Sequence, residues 1–562
     1  MNAIFLMLMG LGAMALGYIF YSKFICEKIF KVDPHFRTPA HEMNDGIDYV
    51  PTNKYVLWGH HFTSVAGAAP IIGPAIAVIW GWVPAFIWVV FGTIFFAGVH
   101  DAGAIWASNR NKAKSVGALT GDIIGPRARS LFMIVIFLVL LMVNAVFAVV
   151  IARQLISFPS ATIPVWGAIL VALVIGQLIY RRYIGLAMVS LLGVIALYAM
   201  IYVGPMMPLS LPDTLMGLNP TQSWIIILFA YAAIASLLPV WMLLQPRDYI
   251  NGIQLFIGLF LVYGAVLFAG PDVVAPAFNT NLPEGTPSLI PLLFVTIACG
   301  AISGFHGLVA SGTTSKQLDK EPDVRFVGYF GAIGEGSLAL AAIIAATAGF
   351  ATLADWQAVY HGFGQGGVGA FINGGANILQ QGLGLDTTLS QTLLTVMVVL
   401  FAGTTMDTGL RLQRYIFQEW GNIYNISWMQ KALPATLLAV GSCVLLAFGA
   451  GGDGSGGLLI WPLFGTTNQL LAGLTLLVIT VMLVRLGRPM YYTLVPLVFL
   501  LIMTTLGLLI QLKSFYDKQD WFLFTLDIIV LIAAILITLE CASALNKLIK
   551  SKKEAVLLNE TE

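Results

Sequence analysis

Long apolar runs recur along this sequence and constrain its fold more than any other feature. Each run is about 20 residues long, the length that a helix needs to cross a bilayer, and short charged or Gly- and Pro-rich segments separate them. The chain is 58% apolar and 10% charged, whereas soluble domains are about 45–50% apolar and about 25% charged. The sequence therefore predicts an all-α polytopic membrane protein with about fifteen transmembrane helices.

The distribution of positive charge predicts the orientation. If the N-terminus lies outside and successive loops alternate, all of the 28 Lys and Arg residues except Arg153, Lys513 and Lys518 fall on the inner side. Cytoplasmic loops retain Lys and Arg, so this pattern predicts an outside N-terminus and a cytoplasmic C-terminus. The first run has no basic segment before it and is expected to stay as a helix rather than to be cleaved as a signal peptide.

Two predicted spans contain residues that interrupt helices. The second span carries Gly67, Pro70, Gly73 and Pro74 within eight residues, and the seventh carries Pro239 near its end. Unwound backbone survives in a membrane only where protein or a water-filled cavity satisfies it. Broken helices are therefore typical of the binding sites of transporters, although membrane helices also tolerate Pro and Gly for packing alone.

Counting five helices from each break gives two units of opposite topology, which is the pattern of a five-plus-five inverted-repeat transporter core. The predicted organisation is an extra N-terminal helix at 1–25, a first repeat at 55–205, a second repeat at 223–416, four additional helices at 430–549 and a cytoplasmic tail at 550–562. The glycine-rich outer loop 353–387 is expected either to re-enter the membrane or to cap its outer face.

Ionisable side chains inside spans are costly and are usually functional. His61, Asp101 and Glu335 are the candidates for proton coupling, with Asp101 and Glu335 as proton carriers. Asp407 and Arg411 are four residues apart and are expected to pair across one helical turn. Adjacent helical residues point about 100° apart, so His60 and His61 suit a shared metal ion poorly, and no metal site or cofactor is predicted.

Several motifs make the chain recognisable. Residues 59–75, 99–101, 238–249, 306–314 and 461–469 resemble the signatures of the carbon starvation protein A family. That resemblance implies uptake of small nutrients, namely peptides or pyruvate, during carbon starvation. It also implies the inverted-repeat core of the amino acid–polyamine–organocation transporters and a bacterial inner-membrane location.

The same resemblance implies a place for substrate and ion. In that architecture a substrate carboxylate rests on backbone N–H groups freed at a broken helix, with residues of the second unit facing it. The residues expected to bind substrate are Ser64, Gly67, Ala68, Ala69, Pro70, Tyr231 and Ser236. A sodium ion is often held there by helix hydroxyls, and Ser311, Thr313 and Thr314 are the matching residues here.

Other functional classes fit the sequence less well. A net charge of +1 argues against nucleic acid as a partner, and no nucleotide-binding loop or metalloprotease motif occurs. An enzyme is therefore not expected, and an intramembrane metalloenzyme remains the weaker alternative. The expected partners are membrane lipid and a small substrate, and proton coupling is favoured over sodium. The sequence decides neither peptide against pyruvate nor the oligomeric state.

Overall fold

The computed structural model describes residues 1–46, 48–180, 185–239, 242–449, 451–452 and 460–560. Within these residues the chain consists of helices and connecting segments, and the only β structure is three isolated bridges. The structure confirms the predicted all-α class.

The helices are numbered in chain order. They are α1 (Ala3–Ile29), α2 (Lys54–Ala66), α3 (Ala69–Trp80), α4 (Trp82–Asn109), α5 (Val116–Ile123), α6 (Pro126–Ser157), α7 (Pro159–Leu178), α8 (Ala187–Met206), α9 (Pro220–Leu237), α10 (Leu244–Ala269), α11 (Leu289–Thr296), α12 (304–317), α13 (Glu321–Ala348), α14 (Leu353–Val359), α15 (Gly367–Leu383), α16 (Thr387–Ile423), α17 (Ala432–Gly449), α18 (Trp461–Arg485), α19 (Tyr491–Asp517) and α20 (Trp521–Glu560).

Thirteen helices in the described part of the chain are long and apolar enough to cross a bilayer, and the bent pair α2 and α3 makes a fourteenth span. One of the fifteen apolar runs of the sequence, at 289–312, is absent from this count because it is broken into α11 and α12, each too short to qualify alone. An integral membrane protein is therefore confirmed. The division into two repeats and additional helices stays a prediction.

Burial separates a central group of helices from a peripheral one. Apolar windows of α13, α16 and α18 are 89%, 94% and 94% buried, whereas those of α1 and α17 are 28% and 33% buried. Peripheral helices leave their other face to the apolar bilayer, which costs nothing for side chains of this kind. Helix α18 belongs to the stretch predicted as additional helices, yet it packs at the centre against α4, α6 and α12.

The predicted break in the second span is present. Helix α2 ends at Ala66, α3 begins at Ala69, and the two axes are bent by 45°. Gly67 has φ 52° and ψ −160°, a backbone conformation that glycine adopts far more easily than other residues. Pro70 lies in the first turn of α3, where its missing N–H has no helical partner to lose.

The predicted break in the seventh span is wrong. Helix α9 is continuous to Leu237, and Pro239 lies in the connection to α10 rather than inside a helix. The second discontinuous helix is instead the ninth predicted span, where residues 297–303 separate α11 from α12. Gly300 there has φ 93° and Ser303 is extended, so glycine in this segment, and not proline in α9, allows the chain to unwind.

The segment 353–387, predicted to lie outside, contains two helices, α14 and α15, of which α15 packs against α3, α10 and α13. The side-chain amide of Asn377 donates to the carbonyl of Gly349 at 2.9 Å, and the Tyr360 hydroxyl donates to the carbonyl of Ala75 at 2.6 Å. These bonds tie the segment to a carbonyl within α3 and to the carbonyl that follows α13, and its place relative to the membrane stays a prediction.

Candidate functional site

The unwound segment 297–303 packs against the first turns of α3, directly after the first break, and runs in the opposite direction. A Cβ built on Gly300 would lie 3.3 Å from Pro70 Cβ, and one built on Gly73 would lie 3.3 Å from Ile297 Cα. Side chains larger than hydrogen at these two glycines would push the segments apart. The discontinuities of α2/α3 and α11/α12 therefore form one site in the bundle interior.

Side chains of neighbouring helices satisfy the backbone of the segment 297–303. The amide of Gly300 donates to Glu335 Oε1 of α13 at 3.1 Å. Asn468 of α18 accepts from the amide of Phe305 at 2.9 Å and donates to the Ser303 hydroxyl at 2.9 Å. Asn468 belongs to one of the family-like motifs, but sequence reasoning did not select it, because its partner amide is freed only by the break.

Glu335 is the end of a buried chain of acidic and histidine side chains. His100 Nδ1 lies 2.7 Å from Asp101 Oδ1, and His306 Nδ1 lies 2.9 Å from Asp101 Oδ2. The other ring nitrogen of His306 lies 3.2 Å from Glu335 Oε2. All four residues are at most 1% exposed. The structure thus joins Asp101 and Glu335, two predicted coupling residues, through His306.

The geometry of this row of side chains limits how many protons its members can share. A neutral imidazole carries one N–H, and in His306 the Nδ1 atom that faces Asp101 uses it. The contact between His306 Nε2 and Glu335 Oε2 then brings two lone pairs together unless either group holds one further proton. A proton on either group would therefore stabilise the His306–Glu335 contact, which closes the cluster of His100, Asp101, His306 and Glu335.

His61 lies near this cluster but does not bond to it. Its Nδ1 atom lies 2.9 Å from the Thr314 hydroxyl, and its Nε2 atom has no hydrogen-bond partner in the structure. A Cβ built on Gly331 would lie 3.1 Å from the His61 ring, so α13 passes directly beside it. His61 is thus fully buried between the first break and α12.

The three candidate sodium ligands have different partners. Ser311 Oγ donates to the carbonyl of Gly307 at 2.7 Å, and Thr313 Oγ1 donates to the carbonyl of Val309 at 3.0 Å. These are bonds back to the same helix, which Ser and Thr commonly make. Only Thr314, through His61, connects this stretch to α2.

Of the residues expected to bind substrate, those at 64–70 surround the first break. Thr405 Oγ1 of α16 donates to the carbonyl of Ser64 at 3.3 Å, and a Cβ on Gly67 would lie 2.7 Å from the same hydroxyl oxygen. Ala68, Ala69 and Pro70 are buried at the start of α3.

Tyr231 belongs to a second buried ionic cluster, which we call the Arg247 cluster and which contains His60, Tyr231, Arg247, Asp248 and Asp407. Arg247 Nη1 donates to Asp407 Oδ2 and, at 2.6 Å, to the Tyr231 hydroxyl, which in turn donates to Asp407 Oδ2 at 2.9 Å. Arg247 Nη2 lies 3.3 Å from Asp248 Oδ1, and His60 Nδ1 lies 3.0 Å from Asp248 Oδ2.

The predicted pairing of Asp407 with Arg411 is therefore wrong. Arg411 donates instead to the carbonyl groups of Ala235 and Leu238, at 2.9 and 2.6 Å. These carbonyls have no partner within the helix because α9 ends at Leu237, and the Arg411 guanidinium supplies the missing hydrogen-bond donors. Ser236, also expected to bind substrate, has a buried hydroxyl without a hydrogen-bond partner among the described residues, and its carbonyl accepts from Arg414 at 2.6 Å.

A cavity of about 330 Å³ enters the bundle between α6, α12 and α16. It extends from Lys114 and Lys316, in segments predicted to face the cytoplasm, to Leu140, near the middle of α6. The route from the predicted inner face therefore reaches about half the depth of the bundle.

No group of three or more His, Cys, Asp or Glu residues with the geometry of a metal site occurs among the described residues. His60 and His61 illustrate the reason, since one faces Asp248 and the other faces Thr314.

The sequence also matches a known family over most of its length. The family model described as carbon starvation protein CstA matches residues 2–354 and 352–507. The chain belongs to the CstA family. The family resemblance of the sequence motifs is thereby confirmed, and so is the prediction of a membrane transporter rather than an enzyme.

Three relatives illustrate the range of this family. The peptide transporter CstA of Campylobacter jejuni is 34% identical over 563 residues, which cover 90% of this chain and 80% of that protein. The pyruvate/proton symporter BtsT of Escherichia coli is 31% identical over 605 residues, covering 93% and 83%. The peptide transporter CstA of Bacillus subtilis is 31% identical over 542 residues, covering 89% of each chain.

Proposed function

We propose that this CstA-family chain is a proton-driven secondary transporter that imports a small carboxylate-bearing nutrient, pyruvate or a peptide. One observation carries the coupling mechanism. A proton on His306 or Glu335 would stabilise their 3.2 Å contact, and Glu335 also accepts from the Gly300 amide in the unwound segment. Loss of that proton changes the charge around Glu335, the carboxylate that accepts from the unwound backbone at Gly300. Proton binding is thereby linked to the conformation of the discontinuous helix.

The packing of the two breaks extends this link to the substrate region. Segment 297–303 lies against Pro70 at the start of α3, where we propose that oxygen atoms of the substrate meet freed N–H groups and the positive end of the helix dipole. Movement of one break displaces the other, and the cavity beside Leu140 provides the exit toward the cytoplasm.

Transport in proteoliposomes tests this proposal directly. With labelled pyruvate and a labelled dipeptide in parallel, we expect an inwardly directed proton gradient to drive accumulation of at least one of them, and a sodium gradient at equal pH to drive none. Accumulation that follows sodium and ignores pH would contradict proton coupling. Transport of neither compound would contradict the proposed substrate class.

Sodium coupling is the alternative, and Thr314 tests it. We expect Thr314→Ala to lower proton-driven uptake by less than about 10-fold, since it removes one neutral hydrogen bond of about 1 kcal/mol, and Thr314→Ser to restore it. Thr313→Ala is the matched control, because that hydroxyl bonds only to its own helix. If uptake requires sodium and is lost in Thr314→Ala alone, the hydroxyls of α12 are the coupling site.

The proposed location is a bacterial inner membrane with the N-terminus outside. We expect a reporter fused after residue 562 to lie in the cytoplasm and a tag inserted at Gly364, which has open space around its Cα, to be accessible from outside. Protease accessibility in intact cells and in inverted vesicles measures both. Labelling of the two sites from the same side would contradict the predicted number of spans.

A further inference from the structure

The Arg247 cluster buries more charge than packing of the bundle requires. His60, Arg247, Asp248 and Asp407 are all at most 3% exposed. Buried ion pairs contribute little net stability, because desolvation offsets their attraction. The Arg247 guanidinium is buried at this desolvation cost and lies near the proposed binding site of an anionic substrate. It is therefore a candidate for recognition of that substrate.

The cluster adjoins the first break. Thr63 Oγ1 of α2 donates to the carbonyl of Asp248 at 2.8 Å. Ser64 Oγ lies 3.5 Å from Asp248 Oδ2, while Thr405, two residues before Asp407, donates to the carbonyl of Ser64. Asp248, the neighbour of Arg247, and Thr405, which lies near Asp407 on α16, are therefore bonded to Thr63 and Ser64, four and three residues before Gly67.

The two faces of the Arg247 guanidinium differ in their partners. Asp248 holds Nη2 and is itself held by His60, whereas Nη1 is shared between Asp407 and Tyr231. Nε of Arg247 and Oδ1 of Asp407 have no hydrogen-bond partner in the structure. Asp248 thus positions the guanidinium, and Asp407 is a counter-ion that a second carboxylate with the same geometry can replace.

We infer that Arg247 anchors the substrate carboxylate, which takes the place of the Asp407 carboxylate on Nη1. A small cavity of about 30 Å³ beside Arg247 and Tyr231 has apolar walls that include Trp166, Val399 and Met406. That volume holds only about two water molecules, so it suits the methyl end of a small monocarboxylate better than a peptide chain. After the exchange Asp407 keeps the Tyr231 hydroxyl as its donor. The inference rests on the proposed function and names the binding group within it.

Equilibrium binding of pyruvate to the purified full-length protein in detergent tests the assignment, independently of transport. We expect Asp407→Asn to bind pyruvate at least as tightly as the wild type, because the competing counter-ion is gone. We expect the double variant Arg247→Gln/Asp407→Asn to lose roughly 30-fold or more in affinity. Both charges of the Arg247–Asp407 pair are removed in it, and Asp248 keeps His60 as its partner. Size-exclusion chromatography in detergent checks that the double variant is folded. Arg247→Lys keeps the positive charge but lacks the planar guanidinium group, so its affinity for pyruvate should fall about 10-fold.

Arg414→Gln is the matched control, since Arg414 is also buried but donates to a backbone carbonyl, and its affinity for pyruvate should be unchanged. Pyruvamide, which lacks the carboxylate, should not bind. Unchanged affinity in the double variant, or equal affinity for pyruvamide, would overturn the assignment while leaving proton-driven uptake by the wild type intact. Failure of the wild type to transport either pyruvate or dipeptide would instead contradict the proposed function.

Discussion

Asp101→Asn is expected to abolish accumulation of substrate against its gradient while leaving exchange of substrate across the membrane. The carboxylate of Asp101 lies between His100 and His306, and all three are fully buried. An amide of the same shape preserves the packing but removes the negative charge that favours the extra proton on His306. The His306–Glu335 contact then loses its protonated form, and proton binding no longer controls the break at Gly300.

The effect is large and can be separated from a folding defect. For one proton per substrate, a gradient of about two pH units supports roughly 100-fold accumulation, since each unit is worth about 1.4 kcal/mol. Asp101→Asn should reduce this ratio to about one in proteoliposomes, with counterflow of labelled substrate still measurable.

Asp527→Asn provides the control for loss of a buried carboxyl group. Asp527 is fully buried in α20, and neither of its carboxyl oxygens has a hydrogen-bond partner in the described residues. It lies outside the acid–histidine cluster, so accumulation should be unchanged. Full accumulation by Asp101→Asn would remove this cluster from the coupling mechanism.

Gly67→Leu is expected to eliminate uptake of any substrate. The backbone of Gly67 has φ 52° and ψ −160°, where a side chain costs about 1–3 kcal/mol in strain. The new Cβ would also lie 2.7 Å from Thr405 Oγ1 and 3.0 Å from the Phe147 ring. The first contact displaces α2 from α16 and the second displaces it from α6. The first break is thereby separated from the residues that flank the Arg247 cluster.

The control is Gly441→Leu in α17, because a Cβ at Gly441 meets no atom within 4 Å. Both variants should insert into the membrane, which surface biotinylation and size-exclusion chromatography in detergent measure, and only Gly67→Leu should lose transport. Normal uptake by a monodisperse Gly67→Leu protein would show that the first break is not part of the transport path.

The sequence alone was sufficient for the membrane class and for the first break. The length of an apolar run is a local property, and the thickness of the bilayer sets the length that a transmembrane helix needs. The positions of the spans can therefore be predicted from local composition with few errors. Two glycines and two prolines between Gly67 and Pro74 likewise act locally, because they remove donors and free the backbone wherever the helix lies.

The second break was misplaced for a tertiary reason. Pro239 is a stronger local helix breaker than Gly300, yet the chain unwinds at Gly300 and not within α9. Unwound backbone needs partners, and Glu335 of α13 and Asn468 of α18 supply them at residues 300–305. Those partners come from 35 and 163 positions away along the chain, which no local pattern contains.

The sequence determined which side chains carry charge inside the membrane, whereas the tertiary structure decided their partners. Asp101 and Glu335 were identified as buried acids, but only the packing of α4, α12 and α13 places His306 between them. Asp407 was assigned to Arg411 by helical spacing, while the structure pairs it with Arg247 of another helix. The free-energy cost of burying a charged side chain can be inferred from a sequence, because it depends only on that residue and on the apolar span that contains it. A pairing depends on how distant helices pack, and it is this packing that sets which buried charge is compensated and which can exchange its partner for a substrate.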